Sequence, residues 1–187
     1  MEQNYISDDV FEQIKDFDHH NWKLTKEQKL LIDKLIPNEE LKQRYIKYGL
    51  CKGCKQPNTS DFWSQPCNSR RFQQNFKNWT SGNSNVDKLI QESQLNAKKW
   101  REKLEWIEYD RFKNIEYITE GGFGKVYKAE WKNGYIHYWN YETNQWERHN
   151  SNEFVALKCL NNSKDITLEF LNEVNITNKI CKQITYY

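Results

Sequence analysis

The chain has 187 residues, room for one full domain or for a small domain beside part of a larger one. Its 28 basic and 26 acidic residues leave a net charge of +2, too weak a field to argue for nucleic acid or anionic lipid as a partner. Mean hydropathy is low, at -1.05, yet 8 Trp, 11 Tyr and 9 Phe supply contact area that disordered chains lack, so a folded, soluble chain is expected.

The first residues, "MEQNYISDDVFEQ", have neither a basic start nor an apolar run, and no stretch of about 18 apolar residues follows. Neither secretion nor membrane spanning is expected. Five cysteines, an odd number in a chain not expected to be exported, favour reduced thiols or a metal over a disulfide framework. The expected compartment is intracellular, cytoplasmic or nuclear.

Thr25 with Gln28 forms a capping box for a helix that Pro37 ends, with Leu30, Leu31 and Leu35 on one face. Asn38 caps a second helix from about Glu39, whose stripe is Leu41, Tyr45 and Tyr48 and whose stop is Gly49. A turn-rich segment follows, in which Cys51 and Cys54 have C-x2-C spacing, the spacing that puts two thiolates on one zinc ion. Cys67 comes later with Ser64 three residues before it, where a fourth ligand would stand. Phe72, Phe76 and Trp79 return to helical spacing, and Ser84 with Asp87 caps another helix carrying Val86, Leu89, Ile90, Ala97 and Trp100. Arg70 and Arg71 ahead of those aromatics suit base stacking, but an aromatic stripe at helical spacing is more often core.

After "EWIEYDRF" the period changes to two, in "NIEYI", "KVYKAEW" and "EFVALKCL". Residues 1–105 are therefore expected to form a helical leader with a cysteine-rich segment at 51–67, and residues 106–187 a second, strand-rich unit. In "NGYIHYWNYETNQWERHNSN", alternation on either side of "YETNQ" predicts a hairpin protruding from the sheet, with His137 on its surface.

"ITEGGFGKVYKA" sets glycines where a side chain would block close backbone approach to a phosphate; alone, the turn fits a plain hairpin tip equally well. "VALK" then puts Lys158 near a strand end behind the small Ala156. Glu173 follows 15 residues later in "DITLEFLNEVNITNKI", where Ile166, Phe170 and Val174 make an apolar helical face. Taken in order, "ITEGGFGKVYKA", "VALK" and "FLNEV" resemble the small lobe of a eukaryotic protein kinase. The resemblance implies that Ile118, Thr119, Glu120, Gly121, Gly122, Phe123 and Gly124 form the phosphate-covering loop, with Val126 and Ala156 lining an adenine pocket. It implies that Lys158 holds the α- and β-phosphates of ATP and that Glu173, on the C helix, is its ion-pair partner. Thr119 stands where the family's first glycine belongs, and the connection between the glycine strand and the lysine strand is long.

None of the 187 residues forms the family's catalytic loop or its aspartate-phenylalanine-glycine magnesium motif, so no catalytic residue is assigned. The resemblance implies a lobe truncated before the catalytic loop: the ATP-binding part of a Ser/Thr- or Tyr-type kinase whose longer parent uses Mg and a protein substrate. The alternative is a non-catalytic fragment that contacts a regulatory protein. The leader "YGLCKGCKQPNTSDFWSQPCNSRRFQQNFKNWTSGN" resembles the segment ahead of the kinase domain in an expanded fungal family of kinase-like proteins, which often carries two C-x2-C pairs. That implies Ser64, a poor zinc ligand, in place of a cysteine, and Cys51, Cys54 and Cys67 as three zinc ligands with water or a distant His as the fourth, His19 and His20 lying too far along the chain to place. A metal-free knuckle held by Phe62, Trp63 and Phe72 stays open beside it. The fold class expected is α+β: a mainly helical leader with a zinc-knuckle-like turn, then antiparallel strands and a C helix.

Overall fold

The computed structural model describes residues 5–20, 23–121, 124–160 and 185–186. They form an α+β fold in which helices come first and strands second. A short helix that periodicity had not revealed, α1 (Asp8–Ile14), starts at Ser7, whose Oγ accepts from the Val10 amide. The capping box at Thr25 and Gln28 opens α2 (Lys26–Leu35) as expected, with both reciprocal bonds made. Asn38 Oδ1 accepts from the Leu41 amide to open α3 (Glu39–Tyr48). Gly49 ends it at φ 67°, where a Cβ would stand 2.8 Å from the His19 ring.

These helices enclose a core of Ile6, Ile14, Leu24, Ile32, Ile36, Leu41 and Tyr45. The buried face of α2 is thus set by Ile32 and Ile36 rather than by Leu30, which is 71% exposed. Tyr45 donates its hydroxyl to the Ile14 carbonyl at 3.0 Å, so the polar tip of this buried ring is satisfied.

The cysteine segment is less turn-rich than its composition suggests. α4 (Gln65–Asn75) begins inside it, with Pro66 in the first turn, where a missing amide hydrogen costs nothing, and Cys67 beside it. Phe72 is buried, a 3-10 turn covers Phe76–Asn78, and Trp79 is extended, so Trp79 leaves the expected stripe. α5 (Ser84–Asn96) is capped by Asn83, not by Ser84; Asp87 instead accepts from Thr80 Oγ1 and from the amide and hydroxyl of Ser81. Ala97 and Trp100 lie past the end of this helix.

β1 (Phe112–Gly121) and β2 (Gly124–Trp131) form an antiparallel pair, followed by the hairpin strands β3 (Tyr135–Asn140) and β4 (Gln145–His149), then β5 (Glu153–Leu160). β5 pairs antiparallel with β2, and β6 (Thr185–Tyr186) adds two residues parallel to β5, a departure from the all-antiparallel expectation. One face of this sheet is core, built from Phe112, Ala129, Trp131 and Leu157 with Ile115, Tyr127 and Val155 around them.

The hairpin does not protrude. β3 and β4 form a separate two-stranded sheet, and Ile136 and Trp146 join Trp63, Phe72 and Ala97 of the helical part in one aromatic core. Trp146 stacks on Phe72 with ring centroids 4.7 Å apart, and Trp100 stacks on Tyr135 at 4.6 Å. His137, expected on the surface, is half-buried between the Trp100 and His149 rings. The aromatic side chains that made the hairpin legible in the sequence also make an exposed position costly, because their area is removed from water only against the helices. No helix among the described residues is long and apolar enough to cross a membrane.

Candidate functional site

Two constellations carry chemistry. The first is the open face of the sheet. The register sets Val126 opposite Lys158 and Lys128 opposite Ala156, and side chains directly opposed in an antiparallel pair share a face. Val126, Ala156 and Lys158 therefore stand together on the side away from the core, where Ala156 is exposed and Lys158 half-buried. Thr119, opposite Val126, extends the same row onto β1. Gly121 pairs with Gly124 to close the turn, Glu120 lies opposite Lys125, and Ile118 sits at a register shift and is 55% exposed. Gly124 has φ 144°, a conformation that favours glycine, and the space beside Gly121 is open for 4 Å where a Cβ would project. Gly122, Phe123 and Glu173 lie outside the described residues, as does the segment expected to form the C helix.

The second constellation is the cysteine cluster. A bridge between Leu50 and Pro57 brackets the C-x2-C turn, which closes through the Lys55 amide on the Cys51 carbonyl and the Cys51 amide on the Gln56 carbonyl. Lys55 takes φ 60° to make it. Arg44 of α3 donates to the carbonyls of Pro57 and Asn58, and Gln56 exchanges two hydrogen bonds with the Ile6 backbone, so the turn is pinned from both sides. The first turn of α4 then delivers Cys67.

The sulfurs of Cys51, Cys54 and Cys67 lie within 4.8 Å of one another and can hold a metal ion. Cys51 and Cys67 are 3.7 Å apart, and thiolates on one tetrahedral ion at about 2.3 Å stand about 3.8 Å from each other. Hydrogen bonds from Cys54 and Cys67, and then from the Tyr141 hydroxyl, pull the Cys51 thiol far below its ordinary range against the effect of burial. Cys67 is pushed up, first by Cys51, then by Cys54 and by burial. The thiolate is the form that ligates metal, and sulfurs this close share their protons through hydrogen bonds. A second group, Asp18, His19 and His20, is more open: Asp18 is tied to His20 Nδ1 at 2.7 Å and to Lys23 at 2.6 Å.

Two contributors were not legible in the sequence. Tyr141, 90 residues beyond Cys51, reaches the Cys51 sulfur at 2.9 Å from the loop between β3 and β4. Arg71 lies over the Trp139 and Tyr141 rings, 4.4 and 4.9 Å from their centroids, so this cation is engaged within the protein. No family model, curated protein or solved structure matches the chain.

Proposed function

We propose that the β1-β2-β5 sheet is a protein-kinase-type small lobe that binds ATP, and that the cysteine cluster is a zinc site stapling the leader beside it. The observation that carries the nucleotide reading is the shared open face: Val126 and Ala156 give the base a small-residue floor, and Lys158 follows one pleat along toward the glycine turn. A lysine ammonium there meets the α- and β-phosphates as a point charge, with Glu173 as its proposed ion-pair partner. The motifs read in the 187 residues serve nucleotide binding and include no catalytic loop or magnesium motif, so ATP binding is the function assigned to them and no phosphoryl transfer is assigned.

Titration of the full chain with a fluorescent ATP analogue tests this. A hydrogen bond to a charged group contributes about 1.5–3 kcal/mol, so Lys158→Ala weakens binding about 10- to 100-fold. Equal affinity in the two proteins removes the site assignment.

For the cluster, zinc is the cation that three converging sulfurs fit best, because it is borderline-soft and takes tetrahedral sites. Zinc would supply rigidity here: it would lock the C-x2-C turn to the start of α4.

A further inference from the structure

We propose that the cysteine centre is a four-cornered site, with Ser64 Oγ as the oxygen ligand beside three sulfurs, and that Tyr141 closes it, so that loading the ion locks the β3–β4 hairpin onto the leader. This rests on the metal reading above and adds the fourth ligand and the coupling to the hairpin.

Ser64 occupies the position before α4 where a serine ordinarily caps the helix, and there its hydroxyl would accept from the backbone amides of the first turn. It makes no such bond. The residue is 4% exposed, and its Oγ lies 3.5 Å from the Cys54 sulfur. An oxygen about 2.0 Å and a sulfur about 2.3 Å from one tetrahedral ion are separated by about 3.5 Å. The forgone cap and the distance agree on an oxygen turned into the cluster at its remaining corner. A water molecule is not needed there, and structural sites take four ligands.

Tyr141 plays a different part. Its hydroxyl stands 2.9 Å from the Cys51 sulfur, and with that sulfur as thiolate the hydroxyl donates. A hydrogen bond to a ligand sulfur orients it and steadies its charge. The tyrosyl ring also covers Gly53, the second of the two residues between the paired cysteines, where a Cβ would stand 2.8 Å from the ring, so a side chain there would have to displace it. Arg71 of α4 packs over the same ring, 4.9 Å from its centroid. When three thiols lose their protons to a divalent ion and the serine stays neutral, the centre carries one net negative charge, and the Arg71 guanidinium lies over the ring of Tyr141, whose hydroxyl meets that centre. The ion thereby joins the C-x2-C turn, α4 and the hairpin loop.

The full chain is loaded with Co2+ and with Zn2+, and affinity, visible spectrum and hydrogen exchange are recorded for wild type, Ser64→Ala, Ser64→Cys, Tyr141→Phe and the double variant Cys51→Ala/Cys67→Ala. Wild type is expected to bind one ion with intense tetrahedral d–d bands and sulfur-to-cobalt charge transfer, both lost in Cys51→Ala/Cys67→Ala. If wild type with reduced thiols binds neither ion, the metal reading itself falls. Given binding, Ser64→Ala is expected to shift the d–d bands and to weaken affinity at least about tenfold, whereas Ser64→Cys strengthens it and adds charge-transfer intensity. A Ser64→Ala spectrum and affinity equal to wild type overturn the oxygen ligand while leaving the metal reading intact. Tyr141→Phe is expected to bind about tenfold more weakly. Zinc is expected to slow exchange of the β3 and β4 amides in wild type and not in Tyr141→Phe; hairpin exchange indifferent to zinc in wild type overturns the lock.

Discussion

Glu105 holds two cations at once: Lys103 Nζ at 2.7 Å and Arg148 at 2.9 Å, while also accepting the Ile136 amide. Burial pushes its carboxyl up, but Lys103 and Arg148 outweigh that, and the net direction is down, so the carboxylate keeps its charge. Lys103 has one carboxylate against complete burial, and burial pulls its ammonium down from the ordinary lysine range. Removing the anion leaves Lys103, 2% exposed, uncompensated, while the one-third-exposed Arg148 can turn to water. Glu105→Gln is therefore expected to cost about 3 kcal/mol in a urea unfolding experiment; a loss below about 1 kcal/mol rules out the triad as a tie between the α5–β1 connection and the hairpin. None of its members was marked in the sequence, because a charge that will be buried looks the same as one that will be solvated until its partners are known.

At the scale of elements, the hairpin is where periodicity and packing part company. Alternation identified β3 and β4, and the turn at "YETNQ" was located, yet the sheet they form faces α4 instead of solvent. His137 registers the difference. Burial first, then the nearby His149, with Lys103 and Arg101 adding to it and Asp61 opposing, push its imidazole below 6.5, and its Nδ1 has no partner among the described residues. The unfolded chain then binds a proton at this position more readily than the folded one. Stability is unaffected by His137 above about pH 6.5 and falls as pH drops below it. His137→Gln should flatten that acid limb when thermal midpoints are compared between pH 7.5 and pH 5; parallel limbs in the two proteins exclude a buried role for this ring. Caps behave more simply: Thr25, Gln28 and Asn38 act through bonds within three residues, as their spacing predicts, whereas Asn83 caps α5 in place of Ser84 and Asp87 is bonded to Thr80 and Ser81.

For the molecule as a whole, the aromatic core around Trp63 is the junction. Trp63 is fully buried, donates Nε1 to the Ala97 carbonyl at 2.9 Å and packs with Trp146 from the hairpin, so it touches both ends of the chain's organisation. Trp63→Ala is expected to cost about 3–5 kcal/mol, a large part of a domain's total stability, and to raise hydrogen exchange in β3 and β4 together with α4. Should exchange rise in the helices while the hairpin stays protected, the two would not share a core.

The amino-acid sequence by itself determined what depends on neighbours a few residues away: helix caps, the two periods, the C-x2-C turn, and the order of glycine turn, "VALK" and "FLNEV" on which the nucleotide reading rests. Tertiary structure alone decided that the insertion folds back and that Tyr141 meets Cys51. Those contacts join residues up to 90 apart. They follow from where large aromatic surfaces can escape water, and no local pattern encodes that.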